Sequence, residues 1–368
     1  MSTQNNYNWQ PLDLFTIYAN LSQQSSINLT GLTGCCTTGS GLTIYCTDES
    51  GYLLIIQNSG TITNPIFTYS YINIQESNNV EVNTLTCSSN GDYIIFNPSN
   101  GNNGGSWYLI DVSNNYSITS LTSNFQNGVA QSCISSTGQY IGITSGGAVY
   151  ISNNYGQSFS NLYISQQNTL SCLGMNSSGE WLYIIDGVNI SIYDFTTKSK
   201  VENIYTITLP SNVNTNNPMF SIYTDYSGQY SLIPIFVTSN PLNIVYIDNY
   251  DANNINNSIT QTNINITLPS TINPIPQYYI NNTNNSLGGY LILSTLFSIY
   301  TSVPSSSTSS AIFTQEQYFT TLQGFSSGSS VATNACDSTN NCMAIVIGAP
   351  TNNTNIFNTL YYGSTSFQ

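Results

Sequence analysis

The sequence predicts an all-β chain: a seven-bladed β-propeller of four-stranded antiparallel blades, its ring closed by the N-terminal strand. Three observations predict it. A phrase recurs about every fifty residues, strand-like alternation fills the intervals, and helical periodicity is nearly absent. The phrase is an apolar stretch, a polar turn containing glycine, then an aromatic-led β-branched run. It is clearest at 85–96 (LTCSSNGDYIIF), 131–143 (QSCISSTGQYIGI), 170–185 (LSCLGMNSSGEWLYII) and 220–233 (FSIYTDYSGQYSLI). Looser copies at 33–46, 277–293 and 332–347 bring the number to seven. Their turn residues are Gly39, Gly91, Gly138, Gly179, Gly228, Gly288 and Asn341.

Each repeat divides into short runs of period-two alternation separated by Gly, Asn, Ser and Asp. The third shows four runs plainly: VAQSCIS, QYIGITS, AVYISNN and SFSNLYI. Four strands repeated seven times suit a propeller, whereas a β-helix needs a much shorter period. We therefore read a single domain over 1–368. An arm and latch strand occupy 1–24, and the repeats fall near 25–74, 75–126, 127–167, 168–211, 212–269, 270–324 and 325–368. The last repeat supplies only three strands. An open edge there would invite aggregation, so residues 12–19 (LDLFTIYA) are expected to complete that blade by pairing near 356–362.

Charge removes whole classes of function. The chain has 2 basic and 16 acidic residues, a net charge of -14, and neither histidine nor arginine. Nucleic-acid binding needs cations to neutralise phosphates. His-ligated metals and Ser-His-Asp or Cys-His catalysis need an imidazole. Nothing basic attracts the chain to an anionic membrane, and no apolar run is long enough to cross one. The start, MSTQNNYNWQ, does not read as a signal peptide. AT-rich codons would enrich Lys along with Asn and Ile, so the missing lysine points to selection against positive charge.

Candidate sites are few. Ser152, Asn154, Gly156, Ser158 and Phe159 (SNNYGQSF) resemble the Asp-box turn of BNR, sialidase-like propellers, with Asn154 in place of the Asp and Phe159 in place of the Trp. The resemblance implies a structural turn between the third and fourth strands of a blade. IYDFTT at 192–197 looks like a WD-type blade instead. Sialidase activity is excluded, because its arginine cluster cannot be assembled. A glycosidase needs two carboxylates across a scissile bond, and no pair among the 16 acids is singled out. Asp225 and Asp337 precede the turns of their repeats and are the acids nearest a channel mouth. Asp248, Asp251 and Asn253 offer oxygen ligands for Ca²⁺ but lack an EF-hand's Gly and bidentate Glu, so an ordinary turn is the better reading and no cofactor is expected. Cys36, Cys87, Cys133 and Cys172 recur at one place in successive repeats and suit packing between blades. Cys36 with Cys46, and Cys336 with Cys342, flank hairpin turns and could close disulfides where the register sets them opposite.

The function expected is a non-enzymatic structural or interaction propeller. Its partners would be protein subunits of an assembly, further copies of itself among them. The composition resembles that of propeller proteins of large DNA viruses of protists. It implies a virion surface, fibre or extracellular filament made without a signal peptide, the alternative location being the cytoplasm. A carbohydrate- or glycoprotein-binding propeller is the alternative function, and a carboxylate-dependent glycoside-processing enzyme ranks third. One consequence can be tested. Trypsin can cut only after Lys198 and Lys200, which fall between the third and fourth strands of the fourth blade. The native protein should therefore receive at most a local nick and keep its elution volume, whereas chymotrypsin should degrade it once it is heat-denatured.

Overall fold

The structure, a computed structural model, describes residues 8–13, 17, 21, 31–74, 81–99, 106–121, 131–165, 170–176 and 178–208, and beyond them the strands between 223 and 366. Strand β1 is Asn8–Asp13. The first blade holds β2 (Leu32–Thr37), β3 (Thr43–Asp48), β4 (Tyr52–Asn58) and β5 (Phe67–Asn73). The second holds β6 (Glu81–Cys87), β7 (Tyr93–Ser99), β8 (Trp107–Asp111) and β9 (Ser117–Leu121). In the third are β10 (Ser132–Ile134), β11 (Ile141–Ser145), β12 (Ala148–Ser152) and β13 (Ser160–Ile164). The fourth has β14 (Leu170–Met175), β15 (Trp181–Asp186), β16 (Asn189–Asp194) and β17 (Ser199–Thr206). Then follow β18 (Tyr223–Thr224), β19 (Tyr230–Ile235), β20 (Asn243–Asp248) and β21 (Ile259–Thr262). The sixth blade is β22 (Tyr279–Asn282), β23 (Leu291–Ser294), β24 (Ser298–Ser302) and β25 (Thr314–Tyr318). The chain ends with β26 (Ala332–Cys336), β27 (Asn341–Gly348) and β28 (Thr359–Ser366).

Among the described residues these strands form seven four-stranded antiparallel meanders. The first strand of each touches the first strand of the next: β2 meets β6, β6 meets β10, and so on to β26, which returns to β2. That cyclic contact makes the meanders the blades of a propeller, as the repeat predicts.

The seventh blade has the order β1-β28-β27-β26, so its outermost strand comes from the N-terminus. The register differs from the expectation. Asn8–Asp13 pairs with Thr359–Ser364, so the latch lies in residues 8–13 and not 12–19. The physical reason is visible in the pattern. Leu14, Ile17, Tyr18 and Leu21 recur at three- and four-residue spacing, which suits a helix. Ile17 and Leu21 are indeed helical and buried between the seventh and first blades. Pro11 is tolerated in β1 because an outermost strand needs no donor on its free side.

The core lies between blades. In β3 and β4, Ile44, Cys46, Leu54 and Ile56 pack towards Met343, Ile345, Ile347, Leu360 and Tyr362 of the seventh blade. The alternate residues Tyr45, Leu53 and Ile55 pack towards Ile94, Phe96 and Ile110 of the second. Successive side chains point to opposite faces, so a run such as Leu53-Leu54-Ile55-Ile56 buries both sides of its sheet. The same holds between the second and third blades, around Trp107, and between the third and fourth, around Leu182 and Tyr193.

Removing residues 1–13 should strip the seventh blade of its outer strand and expose the edge of β28. We expect a melting temperature lower by several degrees and concentration-dependent aggregation, read by calorimetry and light scattering. An unchanged melting curve would show that β1 does not hold the ring.

Candidate interaction face

In the first four blades the turns after the first and third strands share one face of the ring, called the turn face below. The first of them explains the recurring phrase. A hydroxyl or amide side chain ends the innermost strand and holds the backbone five residues on. Tyr93 N–H donates to Ser88 Oγ and Tyr140 N–H to Ser135 Oγ, both at 3.0 Å. Trp181 N–H donates to Asn176 Oδ1 at 2.9 Å, and Thr43 N–H to Thr38 Oγ1 at 3.2 Å. A glycine N–H closes each turn onto the carbonyl three residues back, as Gly138 does to Ser135 at 3.0 Å and Gly179 to Asn176 at 2.9 Å. In the first blade the residue in that place is Gly41, which donates to Thr38, and not Gly39. Asn341 is the first residue of β27, while Gly228 and Gly288 lie outside the described residues.

These glycines also join blades. Gly138 has φ +81°, and a Cβ there would stand 2.2 Å from Tyr93 Cδ2 of the second blade. At Gly179, with φ +78°, a Cβ would stand 2.5 Å from Tyr140 Cδ2 of the third. Only glycine permits both the conformation and the approach. The backbones are stitched as well: Gly39 N–H donates to Ser89 O at 2.8 Å, and Asn90 N–H to Ser136 O at 3.0 Å. On the same face Tyr155 packs on Tyr93, and Phe195 on Tyr140, each from the following blade.

The turns after the third strands are held by the residue that ends that strand. Asn58 Oδ1 accepts from Gly60 N–H and Ile66 N–H, both at 2.9 Å. Asp111 Oδ1 accepts from Asn114 N–H at 3.1 Å. Asp194 Oδ1 accepts from Thr196 N–H at 2.7 Å and Thr197 N–H at 3.1 Å, and Oδ2 from Thr197 Oγ1 at 2.8 Å. Partial burial opposes ionisation of Asp194, but these hydrogen bonds outweigh it and hold the carboxyl below its ordinary value.

The Asp-box-like residues occupy the corresponding turn of the third blade, between β12 and β13. Ser152 Oγ accepts from Gly156 N–H at 3.0 Å, Asn154 Oδ1 accepts from Ser158 N–H at 3.1 Å, and Asn154 Nδ2 donates to Ser158 Oγ at 2.9 Å. Phe159 packs on the core between the second and third blades. Tyr155, at the tip, has φ 59°.

Three of these turns offer a partner uncharged surface. Leu42 is 44% exposed, Ile66 63% and Tyr155 38%, among hydroxyl and amide turns. Sequence reasoning did not single out these three. The available signal was an apolar residue inside a turn: Leu42 follows Gly-Ser-Gly, and Ile66 follows Asn-Pro.

The remaining candidates fall as follows. Cys46 lies opposite Cys35, and Cys36 opposite Tyr45, so the expected Cys36–Cys46 bridge is corrected. Adjacent residues face opposite sides of a sheet: Cys36 packs towards the second blade and Cys46 towards the seventh. Both are thiols. Cys336 and Cys342 lie opposite each other in the backbone register. Cys36 and Cys133 pack between blades, and Cys172 is buried against Tyr183, Ile185, Ile190 and Ile192 of its own blade. Burial pushes Cys36 and Cys172 well up, and Cys133 up to about 12, although a hydrogen bond to Gly142 counters the last in part. Such thiols are poor nucleophiles and poor metal ligands. Asp248 closes β20, whereas Asp251, Asn253, Asp225 and Asp337 lie outside the described residues. Among the described residues no three of Cys, Asp and Glu stand where they could hold a metal ion. Lys200 Nζ lies 3.8 Å from the ring centroid of Tyr163 in the third blade, and Lys198, with φ 54°, takes the turn tip.

No protein-family model matches the chain, and no curated protein matches it. Solved structures do. The β-propeller domain of Cps50 (Swd1) from Myceliophteria thermophila aligns over 94% of this chain and 99% of its own, with a TM-score of 0.58 at 10% identity. The likeness carries the propeller fold.

Gly138→Ala should lower stability by about 1–3 kcal/mol, because it strains a left-handed backbone against Tyr93. The loss in the double variant with Tyr93→Ala should be less than the sum of the two single losses. A Gly138→Ala melting curve equal to wild type would refute the docking role. The Asp194 bonds make a second prediction. A carboxyl held low in the folded state stabilises above its unfolded value of about 3.9, and the contribution disappears as pH falls through the folded one. The melting-temperature gap between wild type and Asp194→Ala should be open at neutral pH and close on acidification.

Proposed function

We propose that this chain is a non-enzymatic interaction propeller that docks on a protein partner through its turn face. One observation carries the reading: Leu42, Ile66 and Tyr155 stand exposed in three uncharged, internally hydrogen-bonded turns of that face. Apolar anchors ringed by neutral polar groups suit a protein surface, since contact there desolvates few charges. Four of the described acids support it. Asp48, Asp111, Asp186 and Asp194 all accept hydrogen bonds that hold turns or join blades, which occupies them as structural acceptors. The finer part of the proposal is that the partner belongs to an assembly, such as a virion surface, a fibre or an extracellular filament. It rests on the composition, nearly free of positive charge.

A glycan reading is favoured by one feature, the exposed ring of Tyr155 beside the Asn154 amide, where a sugar face could stack. The two readings separate experimentally. The native protein is recovered from its source with whatever travels with it, identified by mass spectrometry, and compared with a Leu42→Asp/Ile66→Asp variant of equal melting temperature. We expect recovery of the partner to fall at least about tenfold, the equivalent of about 1.4 kcal/mol. Undiminished recovery would overturn the turn face as the docking surface. Glycan-array binding lost in Tyr155→Ala alone would favour the sugar.

A further inference from the structure

We propose that Cys36 and Cys87 are a dithiol pair that a low-molecular-weight disulfide oxidises to a disulfide between the first and second blades, locking that seam of the ring. The inference goes beyond the interaction reading and does not rest on it.

The side chain that holds each first-strand turn gives the blades a common reference: Thr38, Ser88, Ser135 and Asn176. Cys36 and Cys133 stand two residues before it and point to the following blade, Cys36 with Ile94 and Phe96, Cys133 with Leu173 and Met175. Cys87 stands one residue before it, and a shift of one residue turns a strand side chain to the other face. Cys87 therefore points back to the first blade and packs on the same cluster as Cys36. The next two seams fill the same two places differently. Thr86 points forward, its hydroxyl 2.9 Å from that of Ser132, and Ile134 takes the backward place. Cys133 shares its seam with Met175. Among these three seams, the one between the first and second blades alone sets thiol against thiol.

The two strands are close enough to be bridged. A Cβ on Gly34 of β2 would stand 3.5 Å from Leu85 Cβ of β6. Disulfides span Cβ separations of about 3.5–4.5 Å. Cys36 and Cys87 lie two residues further along their strands, on the same faces as Gly34 and Leu85. Just beyond them Gly39 N–H donates to Ser89 O at 2.8 Å, so the strands stay together past the pair. Between these contacts Cys87 Sγ donates to Thr37 O at 3.2 Å. The Cys36 thiol is hydrogen-bonded to Cys87, and burial, then this bond, holds it well above its ordinary value. Both residues are thiols in this structure.

Access divides the roles. Cys87 is half-buried, whereas Cys36 is buried. The Cys87 thiolate attacks one sulfur of the small disulfide. That S–S bond breaks, and the first thiolate leaves and takes up the proton that Cys87 lost. Cys36 then gives up its proton and attacks the Cys87 sulfur, expelling the second thiolate, which takes that proton. Two protein S–H bonds become one S–S bond, and the oxidant is reduced to two thiols. Cys36 reacts because it is held against Cys87, not because its thiol is acidic. The product adds a covalent link to a seam held by packing and hydrogen bonds, and it restricts the unfolded chain.

The test incubates the native full chain with oxidised glutathione, alkylates the remaining thiols and digests with chymotrypsin without reductant for mass spectrometry. Wild type should yield a linked peptide pair containing Cys36 and Cys87. Its melting temperature should rise by several degrees and return with dithiothreitol. Because Cys35 shares a peptide with Cys36, the link should persist in Cys35→Ser and vanish in Cys36→Ser. Cys36→Ser should instead stop at glutathione attached to Cys87, with no rise in melting temperature. A wild type that forms no such link, or links Cys35 to Cys46 in its place, overturns the proposal. So does a link that survives Cys36→Ser, or one that leaves the melting curve unchanged.

Discussion

A blade of this propeller buries both faces of its sheet, and everything else in the structure follows from that. Among the described residues, the clusters at the seams from the seventh blade round to the fourth each draw on two blades. Ile44 and Cys46 need the seventh blade, Tyr45 and Leu53 need the second, and so on through the described blades. Burial of apolar side chains supplies the main driving force for folding, and here it is delivered only when neighbours are in place. The stability of one blade therefore belongs to two interfaces, and an open ring would leave two apolar faces in water. This is why the N-terminal strand returns to the last blade, and why helical Ile17 and Leu21 are buried at the same seam.

Two-sided burial constrains the turns in turn. Blades that pack face to face must approach closely at the turn face, where the chain crosses from first strand to second. The backbone there has polar groups to satisfy and little room. Ser88, Ser135 and Asn176 satisfy it locally with a side-chain acceptor, and the left-handed glycine lets the turn lie against the aromatic ring of the previous blade. Backbone bonds between neighbouring turns, from Gly39 to Ser89 and from Asn90 to Ser136, then set blade against blade. The first-strand turns of the first three blades are each anchored twice, within the blade and to the next. Rigidity favours a docking surface, since little ordering remains to be done on contact.

The near absence of charge is compatible with this construction, and several of the described acids are used as hydrogen-bond acceptors. Asp194 organises the turn around Thr196 and Thr197, and Asp186 accepts from Tyr163 and Ser165 of the preceding blade. Lys200 covers the Tyr163 ring across the same boundary. Polar work elsewhere passes to Asn, Ser and Thr, which bond backbone groups without bringing a net charge.

Much of this was legible in the residues. The sequence alone determined the repeat, the strand class and, in the second to fourth blades, the turn glycine, because each is local. Period-two alternation, a Ser/Thr/Asn acceptor, a glycine and an aromatic lie within a dozen residues of one another. It also placed the third blade's SNNYGQSF as a turn between third and fourth strands, since that hairpin closes on itself. The latch was legible in kind but misplaced by a few residues, because the apolar spacing around Leu14–Leu21 is helical and its burial depends on a seam between distant blades. Strand register decided the cysteines: a one-residue shift sends Cys36 and Cys46 to opposite faces, and only the pairing with β3 shows it. The exposed Leu42, Ile66 and Tyr155 belong wholly to the tertiary structure. Exposure depends on which neighbours arrive to cover a side chain, and those neighbours come from other turns and other blades.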